Sequence, residues 1–473
     1  MKETIVLHPV PGFHHMVSLV ELGKLILQHH PHFSITILVP TMPLDTSTTT
    51  SSYINHISKT NLPITFFFLP SIPHHQETQD QAAMILECMR LNASFVVDAL
   101  QTMCLSSSIL ALITSSVYIY DGLDNLHIPT YYYFTSCAST LAILLHLPTL
   151  HNQTTKSFKD LNDTLLHVPG IPPIKASYMP QLLLDRDGPA YHYFFNYASC
   201  MSKSKGVVVN TFDILEPQAV NAIASGACIS NGATLPIYSI GPLITDAKDQ
   251  SGNSTSEALA WLDAQPSRSI VFLCFGSKGT FSEAQHEKIA HGLERSNQRF
   301  LWVVKSPKGS TSDQPQLEIL LPEGFLERTK GRGLVVKCWA PQNAILRHES
   351  VGGFVTHCGW NSLLEAVSYG VPIVSWPLYA EQHLNAVVLV EEMKLAIPID
   401  TSTSMVSCKE GEEEGLVSAE EVEKKVRQLM EFEEGNVLRQ RSLEMRAMAM
   451  AAWTSGGSSF TAFTTLVASW KQG

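Results

Sequence analysis

Residues 339–382 read WAPQNAILRHESVGGFVTHCGWNSLLEAVSYGVPIVSWPLYAEQ, and this stretch decides the fold. The apolar run GGFVTH at residues 352–357 is typical of a buried strand, and the turn CG follows it. A helix is predicted from about Trp360, and VPIVSW at residues 371–376 predicts the next buried strand. Strand, helix and strand in this order form the repeating unit of a parallel sheet covered by helices.

The same alternation extends outward in both directions. Near the start of the chain, strands are predicted at residues 4–8 and 34–39, with a helix at residues 18–29 between them. A second series begins at residue 269 with the strand IVFLCFGS and continues with a helix at residues 283–296 and the strands FLWVVK and LVVK. Two separate series predict an α/β protein with two Rossmann-like domains.

A polar, Gly- and Ser-rich segment at residues 244–257 separates the two series and is predicted to be a linker. The N-terminal domain is therefore predicted at residues 1–243 and the C-terminal domain at residues 258–458. Ligands of open α/β sheets bind outside the carboxyl ends of the strands. We therefore expect the two domains to face each other across a cleft in which two substrates meet.

Composition excludes several classes of protein. Of 473 residues, 45% are hydrophobic and 16% are charged, which is typical of a globular protein. There are 32 Lys and Arg against 43 Asp and Glu, a net charge of −11 without a long basic tract, so no nucleic acid or membrane partner is expected. Nine scattered cysteines without a CxxC pair argue against a disulfide framework or a zinc site. Because neither a signal peptide nor a membrane-spanning stretch is visible, we expect a cytoplasmic protein.

The helix predicted after GGFVTH presents a candidate anion site. His357 ends the strand, and Asn361 and Ser362 lie in the first turn of the helix, where backbone N–H groups and the helix dipole favour an anion. Glu365 lies one turn deeper on the same face, where a carboxylate repels phosphate but accepts hydrogen bonds from a diol. A nucleotide with its diphosphate at the helix end and its ribose near Glu365 satisfies both groups.

Four flanking residues extend this hypothesis. Trp339 offers a flat face for a base, although a tryptophan is more commonly a core residue, and Gln342 can hydrogen-bond a ribose or a base. Glu381 and Gln382 follow the strand VPIVSW, so they are expected at the carboxyl edge of the same sheet. Adjacent hydrogen-bonding side chains there suit the hydroxyls of a sugar.

The motifs WAPQ, THCGWNS and the closing EQ resemble the signature box of the plant UDP-dependent glycosyltransferases. IPTYYYFTS, GVVVNTF and LPEGFLERTKGRG are similar to further landmarks of that family, so the resemblance extends over the whole chain. Within the family, the chain most resembles the flavonoid and isoflavone 7-O-glucosyltransferases of legumes. The resemblance implies the GT-B fold, with acceptor bound mainly by the N-terminal half and UDP-sugar mainly by the C-terminal half. It also implies that a final helix at residues 459–473 returns to the N-terminal domain.

The resemblance also implies site residues. Trp339 matches a residue that stacks on uracil, Gln342 and Glu365 match residues that hold the ribose, and the residues at the helix start match those that hold the phosphates. The closing Gln382 suggests glucose as the donor sugar, and neither a metal nor a cofactor is implied. The complete donor set carried over is Ser277, Trp339, Ala340, Gln342, His357, Trp360, Asn361, Ser362, Glu365, Glu381 and Gln382.

The catalytic candidate lies in HPVPGFHHMVSLVELGK at residues 8–24, where a histidine in a strand-to-helix loop is suited to taking a proton. The resemblance places the catalytic base at His15, with His14 in place of the usual glycine. Other nearby histidines are interpreted as strand-edge or surface residues, namely His8, His29, His30 and His32.

The family usually adds an Asp that orients this histidine from the carboxyl end of a strand. The strand predicted at residues 109–115 ends in Thr114 and Ser115 instead. Asp121 is the nearest acid, but only seven residues separate it from Pro129, which favours a place in the crossover helix. One of Thr114, Ser115 and Asp121, or none of them, therefore replaces the usual Asp. This departure favours phenolic acceptors, because a phenol loses its proton more readily than an alcohol.

The sequence thus predicts a monomeric enzyme that transfers glucose from UDP-glucose, with inversion, to a small apolar phenolic acceptor such as a flavonoid or isoflavone. One alternative is a C-glycosyltransferase or a glucosyltransferase of a diterpenoid, hormone or sterol. Another is a ligand-binding homologue without activity. The DxD triplet at residues 185–187 resembles a metal-binding motif, but such triplets are expected by chance in a chain with 43 acidic residues.

Overall fold

The computed structural model describes residues 2–41, 48–72, 81–118, 122–123, 125–244, 254–310, 314–401 and 415–471. The chain forms two compact units. Unit 1 contains Met1–Thr245 together with Ala452–Gly473, and unit 2 contains Asp246–Ala451. Most of the predicted linker at residues 244–257 lies outside the described residues.

Unit 1 is built on a parallel sheet whose strands alternate with helices. Its strands are β1 Lys2–His8, β2 Ser34–Val39, β3 Ile64–Phe68, β4 Ser107–Thr114, β5 Thr130–Phe134, β6 Leu165–Leu166, β7 Ile174–Lys175, β8 Val207–Val209 and β9 Ile237–Ser239. The α-helices that precede β9 are α1 Phe13–His29, α2 Thr48–Ser58, α3 Gln81–Cys104, α4 Ala138–Gln153, α5 Pro189–Ser202 and α6 Pro217–Ala224. Seven strands form the main sheet in the order β3-β2-β1-β4-β5-β8-β9, and β6 pairs with β7 in a small antiparallel sheet.

Unit 2 repeats this architecture. Its strands are β10 Ile270–Cys274, β11 Arg299–Val304, β12 Gly333–Lys337, β13 Val351–Thr356, β14 Ile373–Ser375 and β15 Ala396–Pro398. Its helices are α7 Ser254–Asp263, α8 Glu283–Ser296, α9 Leu317–Leu320, α10 Phe325–Arg328, α11 Gln342–Arg347, α12 Trp360–Tyr369, α13 Gln382–Glu391, α14 Ala419–Met430 and α15 Glu433–Ala452. The six strands form one parallel sheet in the order β12-β11-β10-β13-β14-β15.

Helices on both faces explain why the central strands are apolar throughout. Ile5, Val6 and Leu7 of β1 are all buried, as are Val271 and Phe272 of β10. A strand with both faces covered needs apolar residues at successive positions rather than at alternate ones. The predicted strands at residues 4–8, at 34–39 and from 269 are confirmed as β1, β2 and β10, and the helix predicted at residues 283–296 is confirmed as α8.

Helix α1 differs from its prediction. It begins at Phe13 rather than at residue 18, and Gly12 precedes it with a φ of 131°. Glycine adopts a positive φ of this size because it has no Cβ that would clash with the backbone. His14 and His15 therefore lie in the first turn of a helix and not in the preceding loop.

The last helix, α16 Ser458–Ser469, belongs to unit 1. Phe463 and Leu466 are buried in the same core as β1 and α1. The hydroxyl of Ser459 donates to the carbonyl oxygen of Gly241 at 2.6 Å, and the Ser469 and Tyr131 hydroxyls hydrogen-bond at 2.6 Å. Burial and polar contacts together fix this helix on unit 1.

Among the described residues, none of the helices combines the length and apolarity that crossing a bilayer requires. Every cysteine that the structure describes is a free thiol.

Candidate active site

The turn between β13 and α12 forms the centre of the site in unit 2. Cys358 adopts a φ of 66°, and its carbonyl oxygen accepts a hydrogen bond of 3.0 Å from the side chain of Asn385 on α13. The N-cap of α12 is Gly359, which has no side chain to accept a hydrogen bond from the first turn of the helix. The first-turn N–H groups therefore lack the usual side-chain acceptor from the cap, which suits this helix end to an anion.

His357 is held between two glycines at this turn. Its side chain is buried, and its Nδ1 lies 3.2 Å from the Thr356 hydroxyl oxygen. A Cβ on Gly359 would lie 2.5 Å from Nε2 of His357, and a Cβ on Gly276 would overlap the same nitrogen. The imidazole thus occupies the space that glycine leaves at both positions, which brings the loop after β10 to the start of α12.

Gln342, Ser362 and Glu365 form a hydrogen-bonded cluster one turn into α12. The Gln342 side-chain amide donates to the Ser362 hydroxyl at 2.9 Å and to a Glu365 carboxylate oxygen at 2.7 Å. Burial raises the pKa of Glu365 to about 7, although the hydrogen bond from Gln342 acts in the opposite direction. A buried carboxyl group of this kind is poised to accept hydrogen bonds from an incoming diol.

Trp339 lies at the end of β12 with 43% of its surface exposed. The alternative interpretation of this residue as a core tryptophan is therefore wrong. Cys338 before it has a φ of 64°, and its N–H donates to the carbonyl oxygen of Val304 at 2.8 Å. Ala340, which follows, is buried. The backbone is thus fixed on both sides of an indole that is open to solvent.

The residues predicted to contact the sugar differ in how far they are buried. Trp360 is buried at the start of α12, and Glu381 is partly exposed at the N-cap of α13. Gln382 is buried, and its side-chain oxygen accepts hydrogen bonds of 2.9 Å from the backbone N–H groups of Leu378 and Tyr379. In this structure, the Gln382 oxygen therefore stabilises the turn before α13. Asn361 and Ser277 are both exposed.

Lys305 is a residue of this site that the sequence did not single out. It follows β11 directly, and its ammonium group donates to the carbonyl oxygen of Gly276. Burial lowers the pKa of Lys305. The strand FLWVVK contains this lysine, but only the tertiary structure brings it to the loop that carries Gly276 and Ser277.

In unit 1, His15 contacts a hydroxyl at the end of another strand. The Thr135 hydroxyl oxygen lies 3.3 Å from Nδ1 of His15. Thr135 follows β5, which lies two strands from β1 in the sheet. The two ring nitrogens of an imidazole are distinct, and the hydrogen bond that one of them makes determines the role of the other.

The residues proposed to replace the usual Asp are engaged elsewhere. The Thr114 hydroxyl lies 3.0 Å from Nδ1 of His8, and the Ser115 hydroxyl donates to the carbonyl oxygen of Tyr133 at 3.0 Å. Asp121 lies outside the described residues. Burial lowers the pKa of His8 to about 4. Of the two predicted places, strand edge or surface, the structure shows the first, since His8 is buried at the end of β1.

The turn that carries Thr135 is held by a buried carboxylate. Glu216 is fully buried and accepts hydrogen bonds from the backbone N–H groups of Ala138 and Ser139, at 3.0 and 2.9 Å. The hydroxyls of Ser139 and Thr211 each donate to it at 2.7 Å. Four donors on one carboxylate fix the first turn of α4 three residues after Thr135.

The DxD triplet has a structural role. Asp185 pairs with Lys159 at 2.6 Å, and Arg186 donates to the carbonyl oxygens of His151 and Thr154 at 2.9 and 2.6 Å. Within the part of the chain that the structure describes, no group of three or more His, Cys, Asp or Glu residues could hold a metal ion.

Comparison with known proteins gives consistent matches. The family model for "UDP-glucoronosyl and UDP-glucosyl transferase" matches residues 233–408. The chain is 46% identical to the anthocyanidin 5,3-O-glucosyltransferase of a Rosa hybrid cultivar over 99% of both chains. It is 47% identical to a phloretin 2'-O-glucosyltransferase of Malus domestica, over 97% of this chain and 98% of the other.

Among solved structures, Phytolacca americana UGT2 in complex with UDP-2fluoro-glucose and pterostilbene is similar at a TM-score of 0.87 and 34% identity. The match covers 99% of this chain and 100% of the other.

Proposed function

The chain belongs to the UDP-glucoronosyl and UDP-glucosyl transferase family, and we propose that it transfers glucose from UDP-glucose to a phenolic hydroxyl of a flavonoid-like acceptor, with inversion. The protein is a UDP-glycosyltransferase with a GT-B α/β fold, as its sequence predicted. The observation that carries the proposal is the cluster of Gln342, Ser362 and Glu365 directly behind a helix end that is suited to an anion. A site with this spacing suits a nucleoside diphosphate better than a phosphate or a sugar alone.

In the proposed donor complex, each group of the nucleotide meets a matching group of unit 2. The ribose hydroxyls donate to Glu365, which Gln342 already orients. The diphosphate lies at the first turn of α12, near His357 and the Ser277 loop, and Trp339 stacks on the base. The glucose lies toward Glu381 and Gln382. Positioning and stabilisation of the departing diphosphate supply most of the rate acceleration.

In the proposed reaction, Nε2 of His15 takes the proton of the acceptor hydroxyl while its oxygen attacks C1 of glucose. The new O–C1 bond forms as the bond from C1 to the diphosphate oxygen breaks, and that bond's electron pair leaves with UDP. Attack from the opposite face inverts the anomeric configuration. Thr135 orients the imidazole through Nδ1 in the place of the Asp usual in the family.

The acceptor proposal rests on the chemistry of unit 1 and on the relatives. The region around α5 is rich in aromatic side chains, including Tyr191, Phe195 and Tyr197. Two relatives bear the names of O-glucosyltransferases of anthocyanidin and of phloretin, which are phenolic compounds. Their names give different positions of attachment, so the 7-hydroxyl and isoflavone acceptors remain predictions.

The test is to incubate the full chain with UDP-glucose and a panel of flavonoids, chalcones and isoflavones, measuring UDP release and the mass and acid lability of each product. We expect acid-labile O-glucosides. Acid-stable products would identify a C-glycosyltransferase, and the absence of UDP release with every acceptor would indicate a ligand-binding homologue.

The raised pKa of Glu365, about 7, predicts a pH dependence of donor binding. The ionised carboxylate accepts from both ribose hydroxyls, whereas the protonated group has lost acceptor capacity. Binding therefore favours deprotonation, and affinity for UDP should rise severalfold from about pH 6 to about pH 8 relative to Glu365→Gln. Calorimetric titration of both proteins with UDP checks this, since ionisation of UDP itself affects them equally. Parallel pH profiles would contradict the role of Glu365.

Thr135→Val should lower kcat about tenfold, because valine keeps the shape of the side chain but removes the hydroxyl that orients His15. KM for UDP-glucose should not change. Thr135→Ser should restore most of the rate, which a packing role of the methyl group would not allow. Initial rates at saturating acceptor measure the effect, and wild-type kcat in the valine variant would show that this contact is not used.

A further inference from the structure

Unit 2 contains a cavity of about 390 Å³ at the edge of the sheet opposite to the candidate donor site. Val351, the first residue of β13, lines the cavity, whereas His357 follows the last residue of that strand. A strand of six residues spans about 20 Å, so the two sites are separate. The volume of the cavity is within the range of small-molecule binding sites.

Four arginines from three parts of unit 2 line this cavity. Arg268 precedes β10, Arg347 ends α11, and Arg439 and Arg446 lie two turns apart on α15, thus on one face of that helix. Glu349 is the one carboxylate in the lining. Such a concentration of positive charge is unexpected in a protein with a net charge of −11.

These arginines are not neutralised by the residues that the structure describes. The arginines that form ion pairs in the described part of unit 2, such as Arg328 and Arg427, lie outside the cavity. Arg439 donates instead to the carbonyl oxygen of Gly352 at 3.0 Å. Burial and the charge of Arg268 lower the pKa of Arg439. Helices α11 and α12 end at the cavity, but a helix C-terminus contributes only about half a negative charge. After subtraction of these two ends and Glu349, roughly two positive charges remain.

Two glycines fix the walls of the cavity. A Cβ on Gly352 would overlap the carbonyl oxygen of Arg268, so the segment before β10 lies directly against β13. Gly370 has a φ of 69°, and a Cβ there would lie 3.3 Å from Cδ of Arg446. Helix α15 therefore packs closely over the end of α12. Three of the arginines, Arg347, Arg439 and Arg446, start from helices, and Arg268 lies in an exposed turn that is held against β13.

We propose that this cavity binds a small polyphosphate, free or as the phosphate chain of a nucleotide, independently of the donor site. Guanidinium groups donate two parallel hydrogen bonds to phosphate oxygens, and several converging guanidiniums select clustered negative charge. A single carboxylate or phosphate would leave most of the four arginines unused. Bound anion would also relieve the repulsion between Arg268 and Arg439.

The test is calorimetric titration of the full chain with inorganic tripolyphosphate and, separately, with ATP, both in the presence of saturating UDP. We expect saturable binding of one anion per chain. Arg446→Glu and Arg347→Glu should each weaken binding of both ligands at least tenfold. Arg441→Glu is the matched control, because Arg441 lies on the same helix, pairs with Glu444 and does not line the cavity. Its affinity should stay within twofold of wild type.

Three results would overturn the proposal. The first is the absence of saturable binding at physiological ionic strength. The second is an equal loss of affinity in Arg441→Glu, which would indicate only a response to net charge. The third is binding seen without UDP and abolished by it, which would place the anion in the donor site. Thermal unfolding of each variant, measured in parallel, separates loss of binding from loss of folding.

Discussion

Replacing His15 with alanine is expected to lower kcat about a thousandfold while KM for UDP-glucose changes little. A positioned general base contributes typically 10²–10⁴-fold to a rate, and phenolic acceptors retain some reactivity without it. The imidazole lies in the first turn of α1 and contacts Thr135, so its loss removes the base without disturbing the core. Initial rates with a phenolic acceptor and saturating UDP-glucose measure the effect.

His14→Ala is the matched control for this prediction. His14 is exposed and packs edge-on against Phe13 at 5.6 Å, in the same helical turn as His15. Its replacement should change kcat less than threefold. Full activity of His15→Ala, or an equal loss in both variants, would show that His15 is not the base.

Gly276→Ala is expected to raise KM for UDP-glucose roughly ten- to a hundredfold. The residue has a φ of 72°, and its new Cβ would overlap Nε2 of His357. Either the loop or the imidazole must move away from the start of α12, and a hydrogen bond to a charged phosphate is worth about 1.5–3 kcal/mol. Donor affinity, measured by steady-state kinetics and by titration with UDP, should therefore fall much more than kcat.

Gly331→Ala separates this effect from backbone strain. Gly331 also has a positive φ, 83°, but a Cβ there has no neighbour within 4 Å. Both variants thus incur a similar conformational cost, and only Gly276→Ala displaces His357. Equal KM values in the two variants would contradict the assignment of His357 and the Gly276 loop to the donor site.

The local structure at the centre of the candidate donor site was predictable because its signals are local. The run GGFVTH, the turn and the helix from Trp360 are adjacent in sequence, so periodicity and spacing alone place His357, Ser362 and Glu365 near one helix end. The exposure of Trp339 was not decided by its residue type, since tryptophan occurs both in cores and in binding sites. The structure shows Trp339 exposed directly after the turn at Cys338.

The contacts of His15 were not predictable in the same way. Thr135 follows β5, and its contact with a residue 120 positions earlier depends on the order of strands in the sheet. The sequence instead suggested the end of β4, where Thr114 in fact contacts His8. The start of α1 was misplaced because Gly12 makes no side-chain cap hydrogen bond and so leaves no capping signal.

The net charge of the chain does not predict the local charge of its binding sites. A net charge of −11 leads us to expect no nucleic-acid partner, but it describes neither end of the unit 2 sheet. At one end, neutral groups of α12 form the proposed diphosphate site, and Lys305 reaches the neighbouring Gly276 loop only in the folded protein. At the other end, arginines distant in sequence converge on one cavity.

The configuration of the product tests the central claim most directly. The full chain is incubated with UDP-glucose, whose glucose is α-linked, and phloretin, and the product is examined by proton NMR alongside measurement of released UDP. Direct displacement predicts a β-linked O-glucoside formed in equal amount to UDP. An α-linked glucoside, or no UDP release with phloretin and the other phenolic acceptors, would contradict it.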